Sequence, residues 1–482
     1  MPQNMTTTEP NRPPAPVSRR SFLSRSAVAG LGVALVGSVD QIFGATPASA
    51  APGGQPGRPV GYGELVPDPR GLLSLPPGFS YTVVSHAGET RLESGEFSPS
   101  DPDGTAAFAR PRGQGAVLVQ NHEINGTEPF PVPALAGFTY DANAGGGTTT
   151  LEVDQHGNRI GEYVSLAGTQ TNCAGGRTPW NTWLTCEETE DLKGKAGSRG
   201  ALLQDHGYVF EVDPHDRNAN RDPQPIKALG RFAHEAVVVN PDTFELYLTE
   251  DASNPNGLLY RYTPPASARP LGKGSLKRLG PTDGTLEAMR ATTGTGTHVP
   301  DLSVARLGDV YRLEWVAVPD RDARTLSTRK QAYAQPITRS RKLEGMWWGD
   351  GGAYVVASFA RTSDGSAAQH DGQVWFLDPV AQTITLQLLF AYTPGDQDSD
   401  PDGPDNITVS PYGGIILAED GEGAQHLLGA NSDGKTFFLA RNEVSESEFA
   451  GPTFAPDRKV LFAAIQEDGY TFAIQGPFTR QH

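Results

Sequence analysis

The feature that most limits how this 482-residue chain can fold is a recurrence of short strand pairs with polar, mostly acidic ends. "AVLVQNHE" (116–123) is followed by "TTTLEVD" (148–154), "TWLTCEE" (182–188) by "GYVFEVDP" (207–214), and "LYLTED" (246–251) by "GLLYRYTP" (257–264). "YVVASF" (354–359) precedes "GQVWFLDP" (372–379), "IILAED" (415–420) precedes "KTFFLAR" (435–441), and "VLFAAIQ" (460–466) precedes "YTFAIQG" (470–476). Long helical periodicity is hard to find, and 56 glycines and 40 prolines supply turns between short strands. Pairs repeating at a spacing longer than a WD40 blade fit a radial architecture, which protects sheet edges, better than a sandwich. One more strand with a polar start lies upstream of each pair: 103–111, 172–180, 234–240, 343–350, 405–411 and 448–456. The expected fold is therefore all-β, a six-bladed β-propeller with these as inner strands. "YTVVSHA" (81–87) is expected to close the ring beside the last unit.

In an antiparallel hairpin, the start of the first strand and the end of the second lie at the same end. Asp103, Cys173, Glu235, Glu344, Asp405 and Glu448 should then converge on one mouth of the central channel. Glu123 should join them, with Glu187 or Glu188, Glu250 or Asp251, and Glu419 or Asp420. So many carboxylates cannot stay ionised together in a low-dielectric site unless cations neutralise them. Carboxylate oxygens select calcium and other hard cations, whereas a thiolate calls for a softer or more Lewis-acidic metal. Cys173 among the acids thus indicates more than one kind of metal. The candidate ligands are Cys173, Glu123, Glu187, Glu235, Asp251, Glu344, Asp405, Glu419 and Asp420, with the choice within each acidic pair open. Cys186 sits inside an apolar strand and reads as core; a Cys173–Cys186 disulfide is the other use two cysteines allow.

Residues 1–50 read as an export leader. "SRRSFLS" places Arg19 and Arg20 before a mildly apolar run from Ala27 to Val39, and "ASA" (Ala48 to Ala50) matches a cleavage site. The expected partner is the twin-arginine machinery and the expected location periplasmic or extracellular. The apolar run is too short to span a bilayer, so no membrane anchor is expected after cleavage. Residues 51–80 read as a linker and 81–482 as a propeller, expected to be a monomer. A net charge of −17 repels nucleic acid and anionic lipid and suits cations.

"NCAGGRTPWNTWLTCEE", "GRFAHEA", "LEGMWW" and "PDNITVSPYGG" resemble the signature segments of the PhoX-type alkaline phosphatases, and "EFAGPTFAPDRKVLFAAIQ" resembles their last blade. The resemblance runs from about residue 80 to 480. It implies a six-bladed propeller exported by the twin-arginine route that hydrolyses small phosphomonoesters with an iron–calcium cluster (Fe3+ and Ca2+). It also implies that Cys173 is an iron ligand, with Glu235, Glu344, Asp405 and Glu123 among the acidic ligands. Two departures stand out. Glu467, Asp468 and Gly469 follow Gln466 where the family usually reads "IQHPG", and Lys342 stands where family members often have arginine.

A phosphoryl group also needs fixed cationic donors. Arg329, Lys330, Arg339, Arg341 and Lys342 come directly before Glu344, and Arg341 and Lys342 are the candidate catalytic cations; Arg177, Arg231 and Arg261 stand behind them. "DSDPDG" (398–403) begins like a calcium loop, but Val409 replaces its closing glutamate, so an acidic surface loop is expected. No P-loop or G-x-S-x-G elbow is present. Two other functions fit a carboxylate ring: a calcium-dependent propeller hydrolase such as a lactonase, and a non-enzymatic, calcium-stabilised binding propeller. Neither needs a thiolate.

Overall fold

The computed structural model describes residues 60–480, except 112, 127 and 395–399, so the expected leader lies outside the described residues. Six inner strands run Pro102–Ala109, Asn172–Arg177, His234–Val239, Leu343–Gly349, Pro404–Val409 and Phe449–Phe454, each within a few residues of its expected place. Each pairs antiparallel with the following strand: Ala116–His122, Trp183–Glu187, Leu246–Glu250, Gly352–Ala357, Ile415–Glu419 and Val460–Ile465.

Blade stacks on blade, so both faces of the inner strands are buried and their sequences read as apolar runs rather than as alternation. In His234–Val239, Val237 and Val239 pack against the second blade while Ala236 and Val238 pack against the fourth. The core accordingly divides into six inter-blade layers. Phe108 meets Trp183, Leu184 meets Val237, and Val238 meets Val355. Val356 meets Ile407, Ile416 meets Leu461, and Phe462 meets Ala107, which returns to the first blade. Large side chains such as Trp183, Trp375 and Tyr247 are fully buried in these layers, each contributing roughly 1.5–3 kcal/mol through burial. The second cysteine, Cys186, lies in the layer between the second and third blades, and both cysteines are free thiols.

The six inner strands fall in only five hydrogen-bonded sheets, a sixth being the two-stranded ribbon of Ala196–Gly197 and Gly200–Ala201, because Val310–Ala317 pairs on one side with Thr285–Thr292 and on the other with Thr383–Phe390. This strand fuses the outer edges of the third and fourth blades into one ten-stranded sheet. Ser80–His86 pairs with Tyr470–Gln475 as the outer strand of the last blade, closing the ring as expected. Leu73–Ser74, inside the stretch expected to be a linker, extends the fifth blade by pairing with Arg441 and Asn442. In that blade "KTFFLAR" is the fourth strand, Thr436–Asn442. The third, His426–Ala430, escaped the sequence reading because glycine and histidine dilute its apolar pattern.

Candidate metal centre

All six inner strands carry an irregularity against their partner near the mouth. In five it falls at the expected ligand: between Pro102 and Thr105, Asn172 and Gly175, His234 and Val237, Leu343 and Met346, and Pro404 and Ile407. A bulge re-aims side chains out of the ladder, and here it releases Asp103, Cys173, Glu235, Glu344 and Asp405. In the sixth blade the bulge lies between Ala450 and Thr453, and Glu448 comes just before the strand. Small residues after the ligands let neighbouring inner strands touch. A Cβ on Gly104 would sit 2.6 Å from the Cys173 carbonyl oxygen, and one on Gly345 would sit 2.7 Å from that of Asp405. The resulting waist, lined by Gly104, Ala174, Gly345, Asn406 and Gly451 among others, encloses only about 20 Å³.

Four inner strands are entered through a residue in the left-handed region: Asp101 (φ 47°), Thr171 (φ 47°), Lys342 (φ 44°) and Gly403 (φ 49°). Only Gly403 adopts this conformation without a steric penalty. The carbonyl of each accepts the N–H of the residue just past the end of the second strand: Glu123 (2.9 Å), Glu188 (2.9 Å), Ser358 (3.0 Å) and Asp420 (2.8 Å). In the second and fifth blades this device resolves the acidic pair. The first member is the last residue of the ladder and stays within the blade, while the second joins the mouth.

The first members are held inside the blades, Glu187 and Glu250 through both carboxylate oxygens and Glu419 through Oε2 alone, its Oε1 being buried without a hydrogen-bond partner. Glu187 accepts His206 Nδ1 (2.6 Å) and the N–H groups of Gln170, Gly207 and Tyr208, and His206 Nε2 lies 3.4 Å from Asp141. Glu250 is held by Arg329 (3.0 Å) and Tyr260 (2.8 Å), and Glu419 by His426 (2.8 Å). Glu187 and Glu419, both expected as ligands, thus fall outside the donor groups at the mouth and face His206 and His426 instead. Alternation along the strand turns them away from the channel.

Three overlapping groups remain at the mouth, each with donor atoms within 4.8 Å of one another: Cys173, Glu188 and Glu235; Glu235, Glu344 and Asp405; and Asp405, Asp420 and Glu448. Glu235 and Asp405 are each shared by two groups, so the three form a continuous chain. Two further expected ligands stand outside it. Asp251 is 3.1 Å from Lys342 Nζ, and Glu123 accepts the Gln466 side-chain amide (2.8 Å), which also donates to Asp103 (2.9 Å). Ser358 and Gln466 hold the same blade position as Glu123, Glu188 and Asp420. Ser358 bonds Glu344 at 3.0 Å. Aligning the six second-strand ends as HE, EE, ED, AS, ED and IQ is the sequence signal that could have found them.

The electrostatics follow from this crowding. Burial pushes the Cys173 thiol well above its ordinary value, and Glu235 and Glu188 push it further. Glu235, Asp405 and Glu448 are likewise raised by burial and then by one another and by Asp420 and Glu344. Glu344 rises only to about 6: burial raises it, but the ammonium of Lys342 at 2.7 Å opposes the shift. An array of acids that resists ionisation this strongly is one that bound cations would stabilise.

Of the candidate cations, Lys342 touches the carboxylates. Arg341 instead packs on Phe359, with Asp364 4.0 Å away. Arg329 sits between Glu190 and Glu250, and Arg231 donates to main-chain carbonyls. Arg261 pairs with Glu287, and Arg177 lies at the far end of its inner strand. In the acidic loop, Asp398 lies outside the described residues, and Asp402 accepts the Glu422 N–H at 3.0 Å.

The family model for alkaline phosphatase PhoX matches residues 60–469. The chain belongs to the PhoX family. It is a phosphoric monoester hydrolase of the β-propeller class. No curated protein matches it. Among solved structures, PhoX of Pseudomonas fluorescens in complex with vanadate, described as a transition-state analogue, is similar in fold. It has 19% identity and a TM-score of 0.64, covering 86% of this chain and 98% of that one. A gluconolactonase of Xanthomonas campestris is far less similar, with 14% identity and a TM-score of 0.34 over 87% and 99% of the two chains.

Proposed function

We propose that this PhoX-family phosphatase works as an exported, monomeric phosphomonoesterase that depends on iron and calcium. The observation that carries the reading is the continuous chain of three donor groups, only one of which includes a thiol. Cys173 with Glu188 and Glu235 offers a mixed sulfur–oxygen set suited to ferric iron, while the other two groups are all oxygen and suit calcium. When bound, such metals would hold phosphoryl oxygens and polarise phosphorus.

The chain's own residues supply the rest. Lys342, bridging Glu344 and Asp251, places an ammonium beside the carboxylates, where charge builds on a transferring phosphoryl group. Ser358 and the Gln466 amide orient Glu344, Asp103 and Glu123 by hydrogen bonds. The paired arginines Arg19 and Arg20 support twin-arginine export to the periplasm or beyond. The test is hydrolysis of p-nitrophenyl phosphate by folded, exported protein, with iron and calcium measured on the same sample. Turnover without either metal would overturn the reading.

A further inference from the structure

The mouth is acidic, yet one guanidinium on its rim has almost no counter-charge. Lys342 is matched by two carboxylates at 2.7 and 3.1 Å, Arg361 by Asp371 at 2.5 Å, and Arg329 by two glutamates at 2.7 and 3.0 Å. Arg341 has only Asp364, at 4.0 Å, and its Nε is buried without a hydrogen-bond partner. Among the described residues, its terminal nitrogens donate to no protein group.

Its position is nonetheless fixed. The guanidinium carbon lies 5.6 Å from the centre of the Phe359 ring, and Lys342 Nζ lies 5.9 Å from the same centre. Phe359 follows Ser358, whose hydroxyl bonds Glu344 at 3.0 Å. One half-buried ring, which also carries the Asp371-paired Arg361 at 5.3 Å, therefore carries both the cation that touches the carboxylate chain and another with unused donors. A guanidinium in this state is a ready partner for an anion with two adjacent acceptor oxygens, since a carboxylate or phosphate can accept two of its N–H groups at once.

We infer that Arg341 is a specificity residue that receives a second anionic group on the leaving group, so that the preferred substrates are phosphomonoesters also bearing a carboxylate or another phosphate. This rests on the phosphatase reading above. The test compares two esters with the same six-carbon skeleton, 6-phosphogluconate and glucitol 6-phosphate, which differ by a carboxylate in place of a hydroxymethyl group. Metal-loaded wild-type protein is expected to show the higher kcat/KM on 6-phosphogluconate. Arg341→Gln should cut the ratio of the two kcat/KM values by about tenfold, the size of one charge-assisted hydrogen bond. Arg341→Lys should restore part of it. A ratio in Arg341→Gln equal to that of wild type overturns the inference while leaving the phosphatase reading intact. Should that variant fail to fold, wild type alone decides: a ratio of one or less overturns it. Hydrolysis of neither ester removes the phosphatase reading, and this inference with it.

Discussion

Glu187 and Glu188 are adjacent, identical in chemistry and opposite in role, so replacing each by glutamine should have opposite consequences. Glu187 is fully buried against His206, itself enclosed between Glu187 and Asp141. Burial alone would lower the imidazole's pKa, but the two carboxylates raise it from its ordinary 6.5 to about 9. At about 1.4 kcal/mol per pH unit, that corresponds to about 3 kcal/mol of mutual stabilisation, at the lower edge of the roughly 3–5 kcal/mol lost when one partner of a buried pair is removed. Glu187→Gln should therefore cost about 3 kcal/mol, or about 3 °C in Tm for a domain of this size. The sign with pH follows from a raised histidine: the contribution is complete below about 6.5 and is lost as pH rises through about 9. The gap between wild type and Glu187→Gln should thus be widest near pH 6 and narrow above pH 9, with metal content unchanged. Glu188→Gln removes a charge that pushes up Cys173 and Glu235. Chelated Glu188→Gln protein should be at least as stable as chelated wild type, while its metal content and activity fall. Thermal unfolding with and without chelator, together with metal analysis, separates the two. Loss of metal in Glu187→Gln with stability intact would refute the assignment of the pair.

Chelation should lower Tm, and by more as pH rises above the ordinary carboxylate range. Glu235, Asp405 and Glu448 have raised pKa values, so in the metal-free fold they oppose folding once the unfolded chain would ionise; scans of chelated protein at pH 5 and 8 check this. Lys342→Gln should raise KM for phosphomonoesters and weaken inhibition by free phosphate, and Glu344, now without its ammonium partner, should titrate above about 6 in metal-free protein. Gln466→Glu places a third carboxylate against Asp103 and Glu123, so it should destabilise chelated protein and leave the calcium-loaded form less affected.

The architecture was legible because blade packing imposes a plain pattern. Both faces of the inner strands are buried, so their apolar runs stand out, and the hairpin rule alone places Cys173, Glu235, Glu344 and Asp405 at one mouth. What the sequence hid is a matter of local backbone geometry. Thr171 and Lys342 are not residues that signal a left-handed conformation, and no composition marks a bulge at Cys173. Without those two devices, the choice between Glu187 and Glu188, or between Glu419 and Asp420, depends on a one-residue phase that apolar periodicity cannot fix. Arg341 and Lys342, taken together as cations, separate in the structure because the left-handed turn at Lys342 sends neighbouring side chains to different partners. The outer strand Val310–Ala317, whose buried and exposed residues alternate, lies apart from the recurring strand pairs and so fell outside the pattern that they set.

The central claim is that the thiol of Cys173 and the oxygens of the adjoining groups hold two kinds of metal. The most direct measurement is elemental analysis with a visible absorption spectrum on folded wild-type, Cys173→Ser and Cys186→Ser proteins. Wild type should contain iron and calcium together and show a thiolate-to-iron band. Cys173→Ser should lose the band, the iron and the activity, whereas Cys186→Ser, altered only in the layer between the second and third blades, should keep all three. A colourless, iron-free wild-type protein with full phosphatase activity would contradict the account.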